Sequence, residues 1–206
     1  MTEKEWIVYE NPNTELTKGQ INYPRHVFIQ DKYSLRTDQS AWFLKIEYLC
    51  QKNTAMPLVY LGLGSNLGDK DQNLNEAVRT LSRELGKVLK LSTFYTSDPW
   101  GYQSDNEYLN AVVLVETLFS PEDVLAKTQL IERELGRTAK SGDQYEDRLI
   151  DIDILLYDNV IIDRPELKIP HPLISKRNFV LIPLTEIAPE LIDPVTHELF
   201  KNFIKY

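Results

Sequence analysis

Between Arg148 and Leu156 the chain reads Arg-Leu-Ile-Asp-Ile-Asp-Ile-Leu-Leu, an alternation of period two that fits a β-strand. On a strand Ile150, Ile152, Ile154 and Leu156 point to one face, and Asp151 and Asp153 to the other. At a rise of about 3.3 Å per residue, side chains two apart stand roughly 6–7 Å from each other. Two carboxylates that close repel, and desolvating them adds to the cost, unless a cation lies between them. Hard divalent ions such as Mg2+ take carboxylate and phosphate oxygens, so D-x-D on a strand points to metal-assisted phosphate chemistry. A plainer reading, a strand with one wet face, stays open at this point.

A chain of 206 residues holds one good-sized domain and an appendage, and 42% apolar with 26% charged residues is ordinary for a globular protein. A net charge of −8 argues against a nucleic-acid backbone as the main partner, although a local arginine cluster could still hold a nucleotide. One cysteine, Cys50, excludes an internal disulfide framework and reads as a packing residue. No apolar run approaches the ~18 residues of a membrane span, and the first 30 residues carry no signal-peptide pattern, so a cytoplasmic protein is expected.

Two unequal parts are visible along the chain. Residues 1–55 are rich in aromatics, among them Trp6, Tyr23, Trp42 and Tyr48, with weak periodicity and one short helix expected near 38–50. Met56 directly precedes a clean strand, so residues 1–56 read as an N-terminal extension of unknown structure, accessory or not native, and 57–206 as the working domain. There, Leu58–Gly64 reads as a buried strand ending in the turn Gly64-Ser65-Asn66-Leu67-Gly68. A helix carrying Leu74, Ala77, Val78, Leu81 and Leu85 follows and stops at Gly86. Lys87–Ser97 and Tyr108–Thr117 read as two strands. A second helix starts at Ser120-Pro121 with Asp123 three residues after the cap, buries Val124, Thr128, Ile131 and Leu135, and ends at Gly136. With the Asp-bearing strand the order becomes β-α-β-β-α-β, an α+β, ferredoxin-like core, followed by a C-terminal extension of loops and one short helix near 175–187.

Taken singly, the motifs are weak. Gly62-Leu63-Gly64-Ser65-Asn66-Leu67-Gly68 lacks the spacing of a dinucleotide fingerprint, no P-loop exists, and the glycines alone suit a tight strand-to-helix turn. Gln129 and Glu132 share a helix face, as surface polar residues often do. Arg137 and Arg148 bracket an irregular charged stretch and, beside the D-x-D strand, could clamp phosphate. His171-Pro172 and Arg177-Asn178-Phe179 bring a histidine, an arginine and an aromatic together, and no zinc-ligand spacing exists. Tyr108 and Asn110 face the same way, as needed to stack on and hydrogen-bond a flat heterocycle, or to finish a sheet edge.

In combination and in this order, Gly62-x-Gly64-Ser65-Asn66-x-Gly68, Phe94-Tyr95-x-x-x-Pro99-x-Gly101, Tyr108-x-Asn110, Gln129-x-x-Glu132, Gly136-Arg137, Arg148-x-x-Asp151-x-Asp153, His171-Pro172 and Arg177-x-Phe179 resemble the 6-hydroxymethyl-7,8-dihydropterin pyrophosphokinases over about residues 57–195. The resemblance implies a cytoplasmic enzyme of folate biosynthesis that moves the β,γ-diphosphate of ATP onto the hydroxymethyl group of the pterin and releases AMP. It implies Asp151 and Asp153 as ligands of two Mg2+ ions, with Arg137 and Arg148 closing over the phosphates. Ser97, Asp98, Trp100, Tyr108, Asn110 and Phe179 match the pterin pocket, and Gln129, Glu132, Ile154, Leu167, His171 and Arg177 the contacts to the co-substrate ATP. Both partners are small molecules, and a monomer that binds neither nucleic acid nor membrane is expected.

The chain departs from that pattern before the Asp strand. Where many relatives carry Arg-Trp-Gly-Pro-Arg, Gln144-Tyr145-Glu146-Asp147-Arg148 stands here, which removes a cation and a tryptophan and sets two acids near the expected phosphates, with Lys140 as a compensating charge. Two other readings use the same features. Palm polymerases and nucleotide cyclases also mount paired carboxylates on a ferredoxin-like core, but would want a basic groove or would lack the pterin pocket. A non-catalytic pterin- or nucleotide-binding domain would have no need of Asp151, Asp153, Arg137 and Arg148 together.

Overall fold

In the computed structural model, which describes residues 56–136 and 147–205, the expected β-α-β-β-α-β order is present. The elements are β1 (Leu58–Ser65), α1 (Lys70–Glu84), β2 (Lys87–Leu91), β3 (Tyr95–Ser97), β4 (Tyr108–Glu116), α2 (Pro121–Glu134) and β5 (Asp151–Tyr157). The extension adds a small hairpin, β6 (Ile162–Asp163) with β7 (Lys168–Ile169), and α3 (Asn178–Ile187). The expected helix near 38–50, Arg137, Lys140 and Gln144–Glu146 lie outside the described residues.

Strand order in the main sheet is β2-β4-β1-β5, every neighbouring pair antiparallel, with β3 also paired to β4. Inserting β4 between β1 and β2 is what splits the first βαβ unit, and the arrangement is ferredoxin-like. Both helices pack on one face, where Val59, Leu61, Leu63, Val113, Val115 and Ile152 meet Leu74, Ala77, Leu81, Val124 and Ile131. The Ser120–Asp123 capping box closes in both directions at the start of α2, as its sequence predicts. At the end of α1 only glycine fits: Gly86 has φ +150, and a Cβ there would lie 2.2 Å from the Glu116 carbonyl oxygen.

On the opposite face, α3 and Phe200 cover part of the sheet, with Val180, Leu181, Leu184 and Ile187 on Val112, Leu114, Leu155 and Leu156. Among the described residues α3 and Phe200 leave the remainder of that face, at the Gly64 and Asp151 end, to the site.

Three expectations need correction. Lys87–Ser97 is not one strand: it breaks at Ser92–Phe94, where the Ser92 hydroxyl accepts from Val112 N at 2.9 Å, and Thr93 N and Oγ1 donate to the Glu186 carboxylate at 3.0 and 2.8 Å. The acidic strand begins at Asp151 rather than Arg148, because Arg148 gives its backbone to Asn66: its N donates to Asn66 Oδ1 (2.7 Å) and its carbonyl accepts from Asn66 N (3.1 Å). Leu156 does not share the face of Ile150, Ile152 and Ile154. A bulge opposite Tyr60/Leu61 turns both Leu155 and Leu156 toward α3 and returns Tyr157 to the helix side.

Candidate active site

The floor of the site is bare backbone. In register, Gly62 lies between Asp153 and Val112, and Gly64 between Asp151 and Asn110. A Cβ at Gly64 would lie 3.5 Å from the Tyr108 ring and 3.6 Å from Asn110 Oδ1, so any branched side chain there would fill the hollow between them. Beside this floor lies a cleft that has Asp151, Asp153, Tyr108, Asn110, Arg177 and Phe179 in its lining.

Along one side run the two carboxylates, with side chains 27% and 42% exposed and thus open to a ligand. Asp151 pairs with Arg148 Nη1 at 2.9 Å. Asp153 Oδ2 faces Arg177 Nη1 at 3.7 Å and His171 Nε2 at 4.0 Å. Burial, and then the positive charge of Arg177, push His171 down to about 4, so it is neutral near pH 7. Leu173 N donates to its Nδ1 at 3.2 Å, which leaves the ring proton on Nε2, toward Asp153. The like-charge problem posed by D-x-D is therefore met within the protein by two arginines. Among the described residues no third side chain joins the pair to make a protein cage for a metal. Two part-exposed carboxylates would suit Mg2+, which is held by one or two carboxylates together with water and substrate phosphate rather than by an all-protein shell.

An aromatic slot occupies the other side. Asn110 Nδ2 donates to Tyr95 O and to Ser97 Oγ, each at 3.0 Å, which fixes the amide and leaves Oδ1 over the floor at Gly64. Tyr108 bonds through its hydroxyl to Tyr102 Oη at 2.8 Å. Arg177 is buried, its Nε finds no hydrogen-bond partner among the described residues, and its guanidinium lies 4.5 Å over the Trp100 ring and 5.7 Å from that of Phe179.

Ser97, Asp98, Trp100, Tyr108, Asn110, Phe179, Arg148, Asp151, Asp153 and Arg177 thus line one cleft, with His171 against Asp153. Four expected nucleotide contacts stand elsewhere. Gln129 is exposed on α2, while Glu132 is buried, its Oε1 accepting from Ile152 N at 2.8 Å on the outer edge of β5. Ile154 and Leu167 have their side chains in the helix-side core, so a ligand would meet Ile154 through its main chain. Arg137 lies outside the described residues.

Sequence reasoning missed a polar knot at the mouth of the slot. Asp147 Oδ1 accepts from Asn66 Nδ2 (2.6 Å) and Tyr102 Oη (3.0 Å), and Oδ2 from Ser104 Oγ (3.0 Å) and Asn106 Nδ2 (2.6 Å). Read from sequence, this acid stands free beside the phosphates, whereas its oxygens are taken up by loop donors. Its partners lie 41 to 81 residues away, so local spacing gives no sign of the knot.

Residues 60–189 match the family model for 7,8-dihydro-6-hydroxymethylpterin-pyrophosphokinase (HPPK). The chain is 50% identical over 138 residues to the 2-amino-4-hydroxy-6-hydroxymethyldihydropteridine pyrophosphokinase of Porphyromonas gingivalis, covering 66% of this chain and 94% of that protein. It is 40% identical over 147 residues to the folic acid synthesis protein FOL1 of Dictyostelium discoideum, covering 70% of this chain and 22% of that much longer protein. Its fold is similar to wild-type Plasmodium falciparum HPPK-DHPS, with a TM-score of 0.58 at 15% identity, covering 72% of this chain and 44% of that one. The α+β core described above is the fold shared with that structure. The chain belongs to the HPPK family.

Proposed function

We propose that the chain transfers the β,γ-diphosphate of ATP to 6-hydroxymethyl-7,8-dihydropterin, a step of folate synthesis. The hydroxymethyl oxygen bonds to Pβ, the bond from Pβ to the α-bridging oxygen breaks, and AMP leaves with that oxygen while the hydroxyl proton is released. The observation that carries this reading is the cleft itself: Asp151 and Asp153 lie across a glycine floor from Tyr108 and Asn110, within one cavity.

Tyr108 and Phe179 sandwich the pterin ring, Asn110 reads its polar edge through Oδ1, and Ser97, Asp98 and Trp100 complete the wall. Asp151 and Asp153 would hold two Mg2+ ions, which neutralise and orient the triphosphate oxygens when bound. Arg148 and Arg177, now neutralising the carboxylates, are in reach of the same charge, and Arg137 joins them as the third cation. His171, neutral with Nε2–H toward the site, donates a hydrogen bond without adding charge. Gln129, Glu132, Ile154 and Leu167 supply the nucleoside end along the outer edge of β5. Catalysis then rests on positioning and charge neutralisation. A monomer is proposed as the working unit. Among the described residues no helix is long and apolar enough to cross a membrane.

Purified protein supplied with Mg2+, ATP and the dihydropterin alcohol should give AMP in equal amount to the pterin diphosphate. No AMP, or ADP in its place, overturns the reading.

A further inference from the structure

Four hydrogen bonds converge on Asp147 from two other stretches of chain, the β1–α1 turn at Asn66 and the β3–β4 loop at Tyr102, Ser104 and Asn106. An ionised carboxylate is acceptor-only, with about four lone-pair sites, and here four donors meet them. Because Tyr102 gives its single hydroxyl proton to Asp147, the 2.8 Å contact between the phenols has Tyr108 as donor. The orientation of the Tyr108 hydroxyl, and with it one face of the aromatic slot, is thus fixed at second hand by Asp147. The same Asn66 binds the backbone of Arg148 through its Oδ1 and its main-chain N, atoms other than the Nδ2 that Asp147 holds, so the contact to Arg148 does not pass through the Asp147 carboxylate.

We propose that Asp147 is a positioning residue for the pterin: its carboxylate ties the β3–β4 loop to the β1–α1 turn and, through Tyr102, holds Tyr108 in its stacking pose. The proposal rests on the pyrophosphokinase reading above. It requires a carboxylate at 147 and no neutral isostere, since an amide there would turn a donor toward the Asn106 or Asn66 donors. Burial raises the Asp147 carboxyl, but the bonds from Asn106, Ser104, Asn66 and Tyr102 together outweigh it and hold the group below the usual carboxylate range. The acid that the sequence sets against the phosphates is thereby kept charged and occupied within the loops.

The test compares wild type with Asp147→Asn, Tyr102→Phe, the double variant of the two, the swap Asp147→Asn with Asn106→Asp, and Asp105→Asn as a control that removes an equal charge from the β3–β4 loop. Titration of the dihydropterin alcohol, with Mg2+ and a non-hydrolysable ATP analogue present, should show Asp147→Asn weakening pterin binding roughly tenfold, the loss expected for charge-assisted hydrogen bonds. Steady-state KM for the pterin should rise by the same factor, while affinity for the analogue alone changes by less than about twofold. Tyr102→Phe should weaken pterin binding as well, and the double variant should lose less than the sum of the two, because both act through one chain of bonds. The swap should recover much of the affinity, and Asp105→Asn should match wild type. Equal loss of nucleotide and pterin affinity, strictly additive single variants, or Asp147→Asn with an unchanged pterin KM overturns the proposal. If instead wild type itself forms no AMP, the pyrophosphokinase reading falls first and takes this one with it.

Discussion

At Asp153 the side chain's chemistry and its neighbours pull in different directions. Its carboxylate faces Arg177 at 3.7 Å and a neutral histidine at 4.0 Å, longer than the 2.9 Å pair at Asp151, and its side chain is the more exposed of the two, 42% against 27%. Asp153→Ala should lower kcat by about a hundredfold or more, the several kcal/mol a metal contributes to phosphate chemistry, and leave pterin affinity nearly unchanged in a calorimetric titration. An equal loss of pterin binding would move Asp153 out of the metal role. Gly64 makes the converse prediction. Gly64→Val adds methyl groups beside Tyr108 and Asn110, and should raise the pterin KM steeply while nucleotide binding and the thermal midpoint stay close to wild type.

At the level of elements, what repeats locally could be read and what depends on distant partners could not. The stripes of α1 and α2, the Ser120 capping box and the alternation around Asp151 are set by residues within one or two turns of each other, and all three stand in the structure. The break at Ser92–Phe94 arises from Val112 and Glu186, and the bulge that flips Leu156 arises from pairing with Tyr60 and Leu61. Those partners come from far along the chain, where no periodicity reports on them. The site divides the same way. Asp151 and Asp153 announce themselves by breaking an apolar strand, while Tyr102, Asn66 and Asp147 look like ordinary loop polarity until three segments converge. Ser120→Ala removes the α2 cap far from the cleft, and should cost about 1 kcal/mol in a urea unfolding experiment with kcat and KM unaltered.

For the whole molecule, the two faces of the sheet divide the labour. Among the described residues one is packed by α1 and α2 and the other is covered in part by α3 and Phe200, and the carboxylates and the slot line one cleft. His171 lies in this half-closed region, held at about 4 against 6.5 in an unfolded chain. Its folded value is depressed, so the unfolded state takes up its proton first. Stability is independent of this group above pH 6.5, falls as the pH drops from there toward 4, and levels off below. In chelator, His171→Gln should remove this slope, at most about 1.4 kcal/mol per pH unit, between pH 6.5 and 5 in thermal unfolding. The glycine floor has a consequence for inhibition. A flat competitor resting on Gly64 touches main chain that no mutation can exchange, and a larger residue there adds atoms beside Tyr108 and Asn110 that exclude the natural ligand too. Escape from such a compound would have to arise at the rim, around Trp100 or the loop that carries Tyr102, and the floor itself would stay a fixed target.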